Sequence, residues 1–124
     1  MNKILLSSIL VALLIVGAVA YYYTTPGKYD EFAKCLSEKQ VVMYGAFWCP
    51  HCKEQKAEFG KSFEYVPYVE CAAPDNPNAQ VAACRDAGVN SYPTWQFSDG
   101  TQQSGKLALE YLAQKTGCEL PGAA

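Results

Sequence analysis

Tyr44-Gly45-Ala46-Phe47-Trp48-Cys49-Pro50-His51-Cys52 ends an apolar, β-prone run that starts at Val41, and it leads into the helix-forming stretch Lys53-Glu54-Gln55-Lys56-Ala57-Glu58-Phe59. The pattern sets two thiols, separated by Pro50 and His51, at a strand-to-helix junction. Pro50 falls in the first turn of the expected helix, where its missing N–H does no harm. A helix N-terminus offers free backbone N–H groups and the positive end of the macrodipole, and both favour a thiolate. The thiolate is the attacking species in disulfide exchange. Cys49 is therefore the candidate attacking sulfur, and Cys52, one turn on, the candidate resolving one. A purely stabilising disulfide is the competing reading, but so short a ring constrains the unfolded chain little.

The rest of the composition fits this chemistry. The chain has 124 residues and six cysteines: Cys35, Cys49, Cys52, Cys71, Cys84 and Cys118. An even and high count suits an oxidising compartment. Zinc is the alternative use, yet the chain lacks a second closely spaced ligand pair, so no metal is expected. A net charge of -2 without a basic cluster argues against nucleic acid.

Residues 4–20 carry no charge, follow Lys3, and precede Tyr21-Tyr22-Tyr23. Counted through the tyrosines, the run is about 20 residues, enough for about 30 Å of hydrocarbon with an aromatic belt at its end. Residues 1–23 thus read as an N-terminal membrane anchor with its positive end in the cytoplasm. Ala18-Val19-Ala20 is also a small-residue cleavage pattern, so a signal peptide is the second reading, and a buried core helix the third. The first two export the remainder, which puts the domain in the periplasm or outside the cell. Residues 24–28 read as a linker and residues 29–124 as one globular domain, of about 100 residues.

Within that domain, residues 30–39 have a helical face of Phe32, Ala33 and Leu36, with Asp30 as a cap. Residues 41–47 read as a strand buried on both faces, 49–60 as a helix, and 65–71 as a second strand whose start or edge is marked by Pro67. Residues 79–87 read as a helix stopped by Gly88, and 94–97 as a third strand. Ser98-Asp99-Gly100-Thr101 makes a hairpin turn into residues 102–106, and 107–116 form a last helix ended by Gly117. This order implies an α/β fold with a parallel core pair and an antiparallel hairpin.

The same order, with Trp-Cys-x-x-Cys after the first strand and Tyr92-Pro93-Thr94 before the hairpin, resembles the thioredoxin fold over residues 29–118. The expected fold class is therefore a central mixed sheet flanked by helices, preceded by one transmembrane helix. The segments 44–52, Tyr68-Val69-Glu70-Cys71, Tyr92-Pro93-Thr94-Trp95 and Thr116-Gly117-Cys118 resemble the thioredoxin-like domain associated with bacterial and archaeal homologues of vitamin K epoxide reductase. That resemblance implies a quinone-linked membrane partner that reoxidises the cysteine pair. Pro-His between the cysteines resembles oxidising periplasmic enzymes of disulfide bond formation. Pro93 matches the proline that this fold holds in cis beside the active disulfide. One departure stands out: Met43 occupies the place of the buried aspartate of reducing thioredoxins, so the acceptor for the resolving thiol's proton is unassigned, with Glu54, Glu58 or a water as candidates.

The candidate catalytic residues are thus Cys49, Cys52, His51 and Pro93, with Trp48, Pro50 and Tyr92 facing substrate. His51 is expected to stabilise a Cys49 thiolate through a hydrogen bond or charge, the alternative being a solvated surface histidine. Lys53 and Lys56 read as helix-surface charges. The Tyr92 backbone is expected to pair with an extended substrate segment. Cys71 and Cys84 are expected to form a structural disulfide worth about 3 kcal/mol. Cys35 and Cys118 either pair or stay as free buried thiols. No cofactor is expected, because the cysteine pair is itself the redox carrier. The reading is a membrane-anchored protein thiol–disulfide oxidoreductase that oxidises substrate cysteines; a reductase or isomerase, and a non-enzymatic adaptor, are the alternatives.

Overall fold

A computed structural model describes residues 2–122; Met1 and the last two residues of the expected domain lie outside the described residues. Strand β1 (Val42–Gly45) pairs in parallel with β2 (Tyr68–Glu70) and antiparallel with β3 (Thr94–Gln96), which pairs with β4 (Gln102–Ser104). The sheet order is β2-β1-β3-β4, a mixed sheet as expected. Parallel pairing of β1 and β2 needs a crossover. Helix α3 (Pro50–Phe59) and a 3-10 segment (Gly60–Tyr65) supply it. The hairpin turn closes through Phe97 N–H to the Thr101 carbonyl, with the Asp99 carboxylate accepting from Thr101 N and Oγ1.

The strands are shorter than the apolar runs suggest. The run 41–47 loses its ends because Val41 N–H turns back to the Leu36 carbonyl and Phe47 N–H goes to the Glu70 carboxylate. Burial in β1 alternates between full and partial, so one face is sealed and the other half-covered. Residues 65–67 stay out of β2 because the 3-10 segment runs through Tyr65, and Pro67 then lends its carbonyl to Met43 N–H. Pro67 marks both a strand start and an edge strand. Helix α4 (Ala82–Asp86) is shorter than the expected 79–87, since Ala79 and Gln80 are held in extended contact with residues 72–73.

Helices α2 (Asp30–Glu38) and α5 (Leu109–Thr116) pack their apolar residues Phe32, Leu36 and Leu112 into the core with Val41, Met43, Phe59 and Trp95. Phe59 lies 6.0 Å from the Phe32 ring and 6.2 Å from Trp95. Asp30 does not cap α2: it is the first helical residue, and its carboxylate instead accepts from Gly27 N–H and Ser62 Oγ, which fastens the linker to the 3-10 segment. Cys71–Cys84 and Cys35–Cys118 are both disulfides, with sequence separations of 13 and 83. In the chain-entropy picture they are worth about 3 and about 4.5 kcal/mol.

Helix α1 (Lys3–Thr24) is long and apolar enough to cross a membrane, and none of it is buried by the rest of the chain. A core helix would bury one face, so that reading falls. The helix runs one residue into the expected 24–28 linker. Lys61 Nζ then donates to the carbonyls of Tyr22 and Thr25 at its end.

Among the described residues Gln55 is the one fully buried side-chain amide, and every hydrogen-bonding position on it is used. Its oxygen accepts from Trp95 Nε1 (3.1 Å) and Leu107 N (2.8 Å), and its nitrogen donates to the Leu107 carbonyl (3.0 Å) and Glu58 (3.2 Å). It welds α3 to β3 and to the approach to α5. Gln55→Leu leaves these partners unpaired in the core, so urea unfolding with disulfides intact is expected to show a loss of about 3 kcal/mol.

Candidate active site

The chain leaves β1 at Gly45, turns through a Cys49 N–H bond to the Ala46 carbonyl, and enters α3 with Cys49 as N-cap and Pro50 in the first turn. Cys49 has extended dihedrals, which let its sulfur fold back over the helix start. Cys49 Sγ accepts from Cys52 N–H at 3.2 Å, and its own S–H reaches the Tyr92 carbonyl at 3.6 Å. A thiolate there takes a charge-assisted bond from the helix N-terminus in place of a neutral one. The two thiols are unlinked, so this is the dithiol form.

The sulfurs differ in environment. Cys49 is 4% exposed and Cys52 0%, so the expected order of access holds, by a narrow margin. Burial first, and then the hydrogen bond and charge of Cys49, push the Cys52 thiol up to about 12, against a smaller pull from the Ala46 backbone and Lys56. Cys52 is therefore protonated at neutral pH.

The expected neighbours of Cys49 converge on it, with one exception. Trp48 is 45% exposed, donates Nε1–H to the Pro77 carbonyl (2.9 Å), and meets the Tyr92 ring edge-on at 5.9 Å. The Tyr92–Pro93 peptide bond is cis, as the resemblance implied, and Pro93 is buried. Tyr92 is fixed at its hydroxyl by Gln80 Nε2, and Pro93 at its carbonyl by Gly105 N–H. Phe47, Trp48 and Pro50 are exposed around the sulfur.

His51 is the exception. Its ring Nδ1 lies 3.4 Å from Glu54 Oε2 on the solvent face of α3, and no hydrogen bond joins it to Cys49. The expected direct bond is thus corrected: a carboxylate one turn along the same face draws the ring outward. Glu54 and Glu58, the candidate proton acceptors, both turn to Lys106, at 3.7 and 3.1 Å.

Sequence reasoning missed Tyr68 and Glu70. Period-two alternation in β2 sets them on one face of the strand, and the absent side chain of Gly45 on the neighbouring strand makes room beside them. Tyr68 Oη donates to Glu70 Oε2 at 2.8 Å, while Glu70 Oε1 accepts from Phe47 N and Ala72 N at 3.0 Å. Burial, then Glu70, hold the Tyr68 hydroxyl well above the ordinary phenol range, with a contribution from the Cys52 and Cys49 sulfurs. Lys56, expected as a plain surface charge, instead sets its ammonium 3.9 Å from the centre of the Tyr68 ring.

A dithiol at the start of the helix that leaves a central strand, faced by a cis-proline loop, defines a thioredoxin-type fold and site. The thioredoxin family profile matches residues 21–115, and the chain belongs to that family. It is 42% identical over 92 residues to thiol-disulfide oxidoreductase LTO1 of Arabidopsis thaliana, a match covering 71% of this chain and 24% of that protein. It is 32% identical over 95 residues to protein disulfide-isomerase A5 of Mus musculus, covering 70% of this chain and 17% of that one. The chain thus spans a quarter or less of either relative's length. Oxidized glutaredoxin 2 from Chlamydomonas reinhardtii aligns with a TM-score of 0.38 and 25% identity, over 74% of this chain and 98% of that one.

The contrast between the thiols predicts the labelling order. Iodoacetamide at pH 7 should modify Cys49 of the folded dithiol and leave Cys52 unmodified, and Cys52 should label only as pH rises well past 9 or on unfolding. Peptide mass spectrometry reads the order directly.

Proposed function

We propose that this chain is a membrane-anchored thiol–disulfide oxidoreductase of thioredoxin type, acting through Cys49 and Cys52 on the cysteines of other proteins outside the cytoplasm. The observation that carries the reading is the asymmetry of the pair: Cys49 sits at a helix N-cap beside exposed Phe47 and Trp48, and Cys52 is sealed behind it. In the oxidising direction a substrate thiolate attacks Cys49 of the 49–52 disulfide, Cys52 leaves with the bonding electrons and gains a proton, and a mixed disulfide forms. A second substrate thiolate attacks the substrate sulfur, and Cys49 leaves as a thiolate. The substrate is then oxidised by two electrons and the pair reduced by two. Trp48, Pro50 and the backbone of Tyr92, beside Pro93, form the surface that receives the substrate segment.

The resemblance to domains associated with vitamin K epoxide reductase homologues supports a quinone-linked membrane protein as the acceptor of those electrons. The unburied apolar surface of α1 supports residues 1–23 as an anchor and the domain from residue 29 on as its exported cargo. Lys3 on the cytoplasmic side sets that orientation. Cleavage after Ala20 is the alternative, and the mass of the protein recovered from membranes separates the two.

A second reading, isomerase or reductase, draws on the protein disulfide-isomerase named among the relatives and on His51 facing Glu54 rather than Cys49. The reduction potential decides between them. Titration against glutathione should give a value at or above about −180 mV for an oxidant, and near −270 mV for a reductant. Cys49→Ser should abolish turnover of a model dithiol substrate. Cys52→Ser should accumulate the mixed disulfide, visible as a shifted band without reductant. Undiminished function of the protein in cells carrying both Cys49→Ser and Cys52→Ser sinks the redox reading and leaves the adaptor.

A further inference from the structure

Resolution of a mixed disulfide requires Cys52 to give up a proton, and burial makes it hold that proton tightly. Met43, apolar and fully buried, offers no acceptor where reducing thioredoxins place an acid. The groups that face Cys52 are few. The N-cap and body of α3 contribute Cys49 and Lys56, Gly45 at the end of β1 and Ala46 just after it contribute backbone, and β2 contributes Tyr68 with Glu70 behind it. Gly45 is the reason they can meet. A Cβ placed on it would stand 3.1 Å from Cys52 Sγ, 3.1 Å from Tyr68 Oη and 2.9 Å from Tyr68 Cε2. Sulfur and hydroxyl therefore share one hollow, no farther apart than the sum of those two 3.1 Å distances, within reach of direct contact or of intervening water.

We propose that Tyr68 and Glu70 are the proton relay of the resolving thiol, in place of the acid that Met43 replaces. The assignment rests on the redox pair proposed above. As Cys52 attacks, its electron pair forms the bond to Cys49 Sγ, the bond from Cys49 to the substrate sulfur breaks, and that sulfur leaves as a thiolate. The Cys52 proton passes to Tyr68 Oη, directly or through the water, while the Tyr68 proton passes along its existing 2.8 Å bond to Glu70 Oε2. Glu70 is half-buried and returns the proton to solvent. When the 49–52 disulfide opens, the same path delivers a proton to the departing Cys52. Lys56 above the Tyr68 ring favours the electron-rich intermediate arrangement.

The test uses the full chain in detergent, with only the 49–52 disulfide reduced, mixed with excess aryl disulfide whose released thiolate is coloured. The first release reports attack by Cys49 and the second reports attack by Cys52. At reagent concentrations where the first outruns the second, Tyr68→Phe and Glu70→Gln should each slow the second release by about tenfold or more at pH 7. The first release should change less than twofold. The gap should close toward pH 10, where hydroxide removes the proton. Tyr68→Phe keeps the ring and its packing, so it decides alone if Glu70→Gln fails to fold. Unchanged second release in the variants, or equal slowing of both releases at every pH, overturns the relay while the redox pair stands. A wild-type chain that releases no coloured thiolate overturns both.

Discussion

The bond from Cys52 N–H to Cys49 Sγ is where the architecture and the chemistry of this chain coincide. It starts α3, and α3 is the crossover without which β1 and β2 cannot run parallel. A serine or aspartate would cap the helix as well. Sulfur adds a group that another sulfur can attack. The site is thus the point at which the fold satisfies its own backbone, with little added structure.

Much of this was legible in the residues, because the signals were local. The thiol spacing, the proline after Cys49, the apolar run before it and the hairpin turn each depend on a few neighbours, and each was realised. Disulfide Cys71–Cys84 followed from the expected placement of its cysteines on a strand end and the next helix. The pairing of Cys35 with Cys118 was open, since nothing local links the first helix of the domain to the segment after its last one. What escaped was long-range or depended on side-chain direction. Gln55 lies among charged and polar residues in sequence, so its burial depends on Trp95 and Leu107, which the fold brings from far along the chain. Asp30 looked like a cap, yet Ser62 and Gly27 compete for its oxygens. His51 looked like a partner for Cys49, yet Glu54 stands at the helical spacing that draws it away.

Polar groups are sparse around the sulfurs, and this shapes their behaviour. Met43 and the apolar core lie behind Cys52, so the few dipoles present act in a medium that screens them weakly. Glu70 is the best-connected of these groups. With one carboxylate it joins the turn before Cys49, the backbone just after Cys71 and the Tyr68 hydroxyl. Loss of this one side chain thus reaches the loop before Cys49 and the neighbour of Cys52 at once.

The Cys35–Cys118 bond has a mechanical side. It fastens the helix nearest α1 to the segment after α5, so all four strands hang inside one covalent loop of 83 positions. A single protease cut anywhere inside that loop leaves both fragments chained together and tethered to α1. Tension pulling the last residues away from α1 travels through sulfur and bypasses the sheet.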